Sequence, residues 1–318
     1  MASITSPWRE VLAQPLEFAS GRVGAPPAAN AVFYVDSVTA NTNANVDGKS
    51  WANAFSTIDY AIGQCAASRG DIIYVSPRHA EEITAAAGIA VDVAGISIIG
   101  LGRGANKPTI TLSTATTADL NVSAANILIR NLRFVNNIDS LGMFIDADAD
   151  WLWVENCDFV TSSTKEAVGF IDLATTKDNF FIRGCTFLQP TDPAGTDGNA
   201  NTGAIFFVDS ENIEIEDCRF YGNFETAIIH NRTTAAKNVW VINCRGVQNL
   251  SGAEPFQLVD GCEGGCYGGQ FSTPAEAAAT EATLVGTLGD KFFVSPTTGF
   301  GNDGAAGGQG GIIVATAS

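Results

Sequence analysis

The feature of this sequence that most constrains its fold is a slip in the apolar pattern of its short segments. In residues 211–220, Ile213 and Ile215 alternate as the buried side of a β-strand does. The next apolar residue is Cys218 rather than Asp217, so the pattern shifts by one residue. One residue with positive φ bends the chain sharply. The strands before and after it then lie in different sheets, and both keep alternate side chains inside.

The same slip recurs along the chain, and the residue at the slip is always Gly, Asn or Asp. These residue types adopt a left-handed backbone at the lowest cost. The seven positions are Gly100, Asn131, Asn156, Gly184, Asp217, Asn243 and Gly265. They recur about every 20 to 35 residues, and a second short apolar strand precedes most of them. This pattern predicts an all-β fold, a parallel β-solenoid of about seven coils with these residues at its corners.

Cysteine recurs at the position that follows the corner. The five residues are Cys157, Cys185, Cys218, Cys244 and Cys266. Their spacing contains no C-x-x-C pair and the chain has 2 histidines, so we predict no metal site and no cofactor. Side chains that run parallel in one core layer are poorly placed for disulfides. We interpret the five cysteines as small buried hydrophobic residues, and free thiols imply folding in a reducing cytoplasm.

The two ends of the chain differ from the repeats. Residues 1–31 have no period and several prolines, which predicts an extended arm. Residues 32–75 predict a cap of strand, loop and helix, with the helix over 54–68 covering the first open coil. The β-helix stem is predicted over 76–271. The glycine-rich segment 272–318 is predicted to make subunit contacts.

The charge of the chain argues against a nucleic-acid partner, and its hydropathy argues against a membrane span. The chain has 17 basic and 34 acidic residues, a formal net charge of −17, and no basic stripe. We therefore expect no nucleic-acid partner. The sequence has neither a secretory apolar segment at its start nor an apolar run of about 18 residues, so we expect no membrane span.

The segment "YVD…DGKSWANAFSTIDYAI…GDIIYV", within residues 32–75, resembles the opening of right-handed parallel β-helix proteins of the pectate-lyase-like superfamily. The corner asparagines resemble the asparagine ladder of that family. The resemblance spans about residues 32–270 and implies a right-handed β-helix. The superfamily includes lyases, glycosidases, adhesins and bacteriophage virion proteins, so the resemblance is specific for fold and weak for function.

Within that superfamily, the N-terminal arm and glycine-rich C-terminus make the chain most similar to bacteriophage spike and capsid-decoration proteins. Those proteins are commonly homotrimers. The resemblance therefore implies a homotrimer in the virion, attached to capsid or tail proteins through its N-terminal arm.

Aspartates end four predicted strands, at Asp146, Asp172, Asp209 and Asp260, and His230 lies between the last two. Paired carboxylates near a histidine can cleave a glycosidic bond. Aspartate also ends strands because its side chain bonds the following turn. We favour this second interpretation, since the glycosidase motifs of the superfamily do not occur together, and so favour no catalytic residue. The alternative is a glycan-cleaving tailspike that uses Asp172, Asp209 and His230.

Aromatic residues precede several corners. Parity with Ile213 predicts that Trp153, Phe181 and Trp240 lie in one column on the outer face, with Trp151 beside them. An exposed aromatic patch marks a protein interface or a sugar-binding surface. We favour an interface between the subunits of a homotrimer, with a host surface glycan as the alternative ligand.

Overall fold

The computed structural model describes residues 30–38, 41–162, 164–189, 203–249, 254–273, 291–295 and 298–301. Over these residues the chain forms an all-β, right-handed parallel β-helix of about seven turns, so the predicted fold class is confirmed. Each turn, or rung, contributes one short strand to each of three parallel sheets. Nearly all of residues 1–31 and most of residues 272–318 lie outside the described residues, and the arm and subunit contacts expected there stay predictions.

Over the described residues, the helical segments are few and all lie in the N-terminal third of the chain. They are one α-helix, α1 (Ile58–Ile62), and three short 3-10 helices (Asn43–Asn45, Trp51–Asn53 and Gly104–Asn106). Within the described residues, no helix is both long and apolar enough to cross a membrane. The strands are β1 (Val32–Val35), β2 (Ile72–Val75), β3 (Ala80–Ile83), β4 (Ile89–Val91), β5 (Ser97–Gly100), β6 (Thr109–Leu112), β7 (Leu120–Val122), β8 (Ile127–Arg130), β9 (Arg133–Asn136), β10 (Ile145–Ala147), β11 (Leu152–Glu155), β12 (Asp158–Val160), β13 (Ile171–Leu173), β14 (Phe180–Arg183), β15 (Thr186–Gln189), β16 (Ile205–Phe207), β17 (Glu211–Glu216), β18 (Arg219–Gly222), β19 (Ala227–Asn231), β20 (Lys237–Ile242), β21 (Arg245–Gln248), β22 (Glu254–Gln257), β23 (Glu263–Tyr267), β24 (Gln270–Thr273), β25 (Lys291–Ser295) and β26 (Thr298–Gly301).

The strands pair only with strands from the neighbouring rungs. Sheet A runs β1-β2-β5-β8-β11-β14-β17-β20-β23-β25, sheet B runs β3-β6-β9-β12-β15-β18-β21-β24-β26, and sheet C runs β4-β7-β10-β13-β16-β19-β22. The chain passes from sheet C to sheet A, then to sheet B, and returns to sheet C one rung further along. Equivalent residues of successive rungs therefore stack in columns about 4.8 Å apart.

A single left-handed residue joins sheet A to sheet B at five of the seven predicted corners. The φ angles are 58° at Asn131, 53° at Asn156, 62° at Gly184, 54° at Asp217 and 52° at Asn243. These corners account for the slip in the apolar pattern, because the strand on each side keeps its alternate residues in the core.

The corner prediction was wrong at Gly100 and Gly265. Gly100 ends β5 and Gly265 lies inside β23, opposite Trp240, and neither has positive φ. The left-handed residues in these rungs are Gly102 and Gly268, with φ of 90° and 64°. Both segments contain several glycines, and the apolar pattern does not distinguish which of them forms the corner.

Cys157, Cys185, Cys218 and Cys244 follow four corners and stack in the core, fully buried and with free thiols. The Sγ atom of Cys185 donates a hydrogen bond to the carbonyl oxygen of Val154 at 3.4 Å. The assignment of Cys266 to this column was wrong. Cys266 is buried in sheet A opposite Val241, because its rung turns at Gly268 and not before it.

Phenylalanines form a second column in the core, on the inner side of sheet B. Phe134, Phe159, Phe187 and Phe220 stack with centroid distances of 5.1, 4.9 and 4.8 Å and interplanar angles of 6°, 2° and 6°. Burying each ring contributes about 1.5–3 kcal/mol relative to leaving it exposed. The column continues at Gly246, which has no side chain. The ring stack therefore ends at Phe220.

Helix α1 covers the first rung, although it is shorter than the predicted helix over 54–68. Ile58 and Ile62 are buried against the core, and Thr57 caps the helix at its N-terminus. The Asp59 carboxylate accepts a hydrogen bond from the backbone N–H of Ala90 in β4 at 3.0 Å. The cap thus bonds a strand edge that would otherwise be open to pairing with another chain.

Candidate functional site

The outer face of sheet C carries a continuous polar and aromatic column. Its residues pair in register from rung to rung as Asp146, Asp172, Phe206, His230 and Gln257. The residues on either side of each aspartate are buried, so the carboxylates lie on the outer face. Two carboxylates on adjacent parallel strands have α-carbons about 4.8 Å apart.

Of the alternative catalytic set, Asp172 and His230 share this column and Asp209 does not. Asp209 follows β16 with φ of 49°, and its backbone N–H donates to the carbonyl oxygen of Thr234 at 3.2 Å. Asp260 lies in the turn after β22. The prediction placed Asp209 in line with Asp172 at the end of a strand. This was wrong, because β16 ends at Phe207, before the aspartate. Asp146 is the second carboxylate of the column.

Arg232 contacts both Asp172 and the aromatic part of the column. Its Nη2 atom is 3.0 Å from Oδ2 of Asp172. Its guanidinium lies over the Phe206 ring, 4.2 Å from the centroid, which is within the range of a cation–π contact. The Phe206 ring is 5.5 Å from the His230 ring and only 1% exposed. Arginine, aspartate and histidine are thus held around one buried ring.

The acid–base properties of the column differ between its two carboxylates. Burial, followed by the charges of Asp148, Asp172 and Asp119, raises the pKa of Asp146 to about 6. Burial also raises the pKa of Asp172, but the adjacent charge of Arg232 opposes that rise. A carboxyl group with a pKa raised toward neutral pH, beside one that is paired with a cation, can serve as acid and base.

His230 is less well placed for acid–base work. Burial, and then the charge of Arg232, lowers the pKa of His230. Its Nδ1 atom is buried without a hydrogen-bond partner. In the part of the chain that the structure describes, no three His, Cys, Asp or Glu side chains are grouped to hold a metal ion.

The outer face of sheet A carries the aromatic residues. Strand pairing places Trp153, Phe181, Glu214 and Trp240 in one column, as their parity predicts. The Trp153 and Phe181 rings stack with a centroid distance of 5.2 Å and an interplanar angle of 10°. The Trp151 ring is 5.7 Å from Trp153 and 6.2 Å from Phe181. We call Trp151, Trp153, Phe181 and Trp240 the aromatic face.

Three rings of the aromatic face, Trp151, Trp153 and Phe181, stack on one another. The planes of Trp153 and Phe181 are nearly parallel at about the rung spacing, so each ring covers a flat side of the other. The guanidinium of Arg183 lies over the Phe181 ring, 5.9 Å from its centroid, and forms an ion pair with Glu214. Trp151 is 41% exposed and Trp240 is 38% exposed. The mutual stacking of Trp153 and Phe181 leaves less of their flat ring surface open to a ligand.

Trp151 lies in a second column of left-handed residues, which the sequence analysis did not identify. Strand pairing aligns Gly70, Gly95, Asn126, Trp151, Asn179, Asn212 and Asn238 at the start of successive sheet A strands, and all seven have φ between 54° and 78°. Six are Gly or Asn, and the seventh is Trp151, with φ of 63°. A left-handed backbone at a bulky residue costs about 1–3 kcal/mol.

Three of these asparagines form a side-chain ladder. The amide nitrogen of Asn238 donates to the amide oxygen of Asn212 at 2.7 Å, and Asn212 donates to Asn179 at 3.1 Å. The signal in the sequence was the asparagine that begins "NILI", "NFFI", "NIEI" and "NVWV", where the equivalent segment "WLWV" begins with Trp151. The asparagine ladder was expected at the corner between sheets A and B, whereas these three asparagines lie where the chain enters sheet A.

Comparison with known proteins identifies the fold of this chain but assigns it to no family. No model of a known protein family matches the sequence, and no curated protein matches it. A solved structure described as a rhamnogalacturonan lyase is similar, with a TM-score of 0.53 over 84% of this chain and 87% of that chain, at 10% sequence identity. At this identity the likeness shows the β-helix fold alone. The fold is consistent with a polysaccharide-active protein or a structural one.

Proposed function

We propose that this protein is a structural component of a bacteriophage particle, a homotrimer whose subunits associate through the aromatic face. The observation that carries the proposal is the backbone of Trp151. Its neighbours in the same column are Asn or Gly, which tolerate a left-handed backbone, yet the chain keeps an exposed tryptophan there. Backbone strain of this kind concentrates at functional positions.

The arrangement of the rings favours a protein partner over a sugar. Sugar rings stack on flat aromatic surfaces, and here the rings of Trp151, Trp153 and Phe181 stack on one another. These rings, together with the exposed Trp240, form a strip along the stem. A second copy of the chain, which has the same rung spacing, can contact this strip along its length.

The assignment to a bacteriophage rests on the sequence resemblance to spike and capsid-decoration proteins. The same resemblance supports attachment to capsid or tail proteins through residues 1–31 and a location in the virion. Images of purified particles with and without this protein test that assignment. Extra density in the particles that contain the protein is the expected result, and indistinguishable particles would exclude it.

The mass of the protein in solution tests the interface. We expect a trimer at micromolar concentration, and a monomer after the double substitution Trp153→Ala and Trp240→Ala. Tyr221→Ala is the matched control, because Tyr221 is an exposed aromatic residue, 46% exposed, on sheet B. A monomeric wild-type protein, or a double variant that remains trimeric, contradicts the proposal.

A second candidate function is cleavage of a glycan at Asp146 and Asp172. The observation that favours it is the raised pKa of Asp146, about 6, one rung from a carboxylate paired with Arg232. Retaining glycosidases hold their two carboxyl groups about 5–5.5 Å apart. Release of reducing sugar from a host polysaccharide, lost in Asp172→Asn, would establish this function. The absence of product from every host glycan removes it.

A further inference from the structure

Two arginines lie directly opposite each other on the outer face of sheet B. Arg219 of β18 pairs in register with Arg245 of β21, and both side chains are exposed. Over the described part of the chain, neither residue forms an ion pair. Like charges directly opposite on neighbouring strands destabilise a sheet. The fold by itself gives no reason to place them together.

Elsewhere on the outer faces of sheets A and B, charged residues that pair in register have opposite charges. Arg130 lies beside Glu155 in sheet A, with Nε 3.2 Å from Oε2. In sheet B, Arg133 pairs in register with Asp158. The pair Arg219 and Arg245 departs from this pattern, in a chain with a net charge of −17.

The arginine pair borders a groove at the corner between sheets A and B. The groove has a volume of about 680 Å³ and is lined by Asp217, Cys218, Arg219, Asn243, Arg245, Gly269 and Gln270. The guanidinium groups and the two side-chain amides supply hydrogen-bond donors, while Asp217 supplies one carboxylate. Gly269 carries no side chain into the groove, and a Cβ atom there would lie 2.2 Å from the carbonyl oxygen of Cys244.

We propose that this groove binds an acidic oligosaccharide, with a sulfate or carboxylate group held between Arg219 and Arg245. Guanidinium groups bind such oxyanions through paired, charge-assisted hydrogen bonds. The oxyanion would neutralise the repulsion between the two arginines. A volume of about 680 Å³ exceeds that of a single sulfate and accommodates the attached sugar rings. Two arginines without a basic stripe do not suit the dense charge of a nucleic acid.

This site is separate from the proposed subunit interface, because the aromatic face lies on sheet A and the arginines lie on sheet B. Substitutions in the groove are therefore expected to leave the mass of the assembly unchanged. The two proposals can fail independently.

Titration calorimetry with a sulfated disaccharide, its unsulfated counterpart and inorganic sulfate tests the site. We expect binding of the sulfated disaccharide, at least tenfold weaker binding of inorganic sulfate, and none of the unsulfated sugar. Arg219→Gln and Arg245→Gln should each weaken binding at least tenfold. Asp217→Asn should strengthen it. Arg103→Gln, which alters an exposed arginine on a distant loop, is the matched control and should change nothing.

Stability without ligand provides a second readout. Because each substitution relieves the repulsion, Arg219→Gln and Arg245→Gln should raise the thermal midpoint by about 1 °C or more. The proposal is overturned if wild-type protein does not bind the sulfated disaccharide. It is also overturned if both arginine variants bind it as tightly as wild type does. A single-stranded DNA oligonucleotide that binds as tightly as the sulfated sugar overturns the assignment to a glycan.

Discussion

Trp151 and Asn179 occupy the same corner position in successive rungs, and both have a left-handed backbone, with φ of 63° and 67°. Asparagine adopts this conformation readily, and tryptophan does so only against steric strain. The exposed indole therefore costs the isolated subunit stability that an asparagine would not.

We expect the substitution Trp151→Asn to stabilise the dissociated subunit and to weaken assembly. The stability of the dissociated subunit should rise by about 1 kcal/mol because the strain is relieved. Denaturant unfolding at high dilution measures the first effect, and mass in solution measures the second. Trp240→Asn is the control, because Trp240 lies within a strand and its loss relieves no left-handed strain. Lower stability with an unchanged mass would show that Trp151 serves the fold alone.

The pH dependence of stability should report the environment of Asp146. Its pKa is about 6 in the folded protein against an ordinary value of 3.8. A raised carboxyl pKa favours the folded state below pH 4, and that contribution is lost as the pH rises through 6. Asp146→Asn removes the ionisable group, so the variant should be more stable than wild type at pH 7–8. The difference should disappear near pH 4, and a difference that is constant with pH contradicts the assignment.

Asp71 should have the opposite dependence. Its carboxylate is fully buried and accepts hydrogen bonds from Arg69, from the N–H of Ala66 at 2.8 Å and from the N–H of Ala31 at 2.7 Å. Burial raises the pKa of Asp71, but these hydrogen bonds outweigh it and lower the pKa below 3.8. The contribution is present above about pH 4 and is lost as the pH falls through the folded pKa.

The substitution Asp71→Asn tests this contribution. It should cost about 2–3 kcal/mol at pH 7, since it leaves part of the buried network unsatisfied. The cost should shrink on acidification, as measured by urea unfolding at several pH values. A cost that does not depend on pH would show that the carboxylate's charge contributes nothing to the network.

The cysteine column predicts thiols that react only after unfolding. Burial raises the pKa of Cys157, Cys185 and Cys218 well above the ordinary value, and it raises the pKa of the half-buried Cys65 to about 12. The thiolate is the reactive form, so its population at pH 8 is very small. A thiol reagent such as dithionitrobenzoate should modify no cysteine in native protein within minutes, and all 7 in guanidinium. Rapid reaction of native protein would contradict a buried column.

Much of the stem followed from the sequence because its signal was local. The slip at Asp217 reports a bend that any strand pair with a one-residue corner must show, and side-chain parity then placed Trp153 and Trp240 in one column. Neither inference needs knowledge of distant contacts. The register failed at Gly265, where neighbouring glycines are equally able to turn, so no side chain marked the corner.

The site on sheet C was harder to obtain from sequence. Aligning Asp209 with Asp172 assumed that both strands end at the same place, whereas Phe206 is the residue that pairs with Asp172. Strand ends depend on how the loops between sheets pack, and one sequence does not determine this. The contacts of Arg232 with Asp172 and Phe206 likewise join residues from different rungs.

The phenylalanine stack that ends at Phe220 has a mechanical consequence. A pull along the axis of the stem is carried by one rung after another, so the weakest junction sets the load the whole stem can bear. Between Phe220 and Gly246 the backbone hydrogen bonds continue while the ring stack does not. Under tension the rungs that the ring stack joins, from Phe134 to Phe220, should be the last to separate.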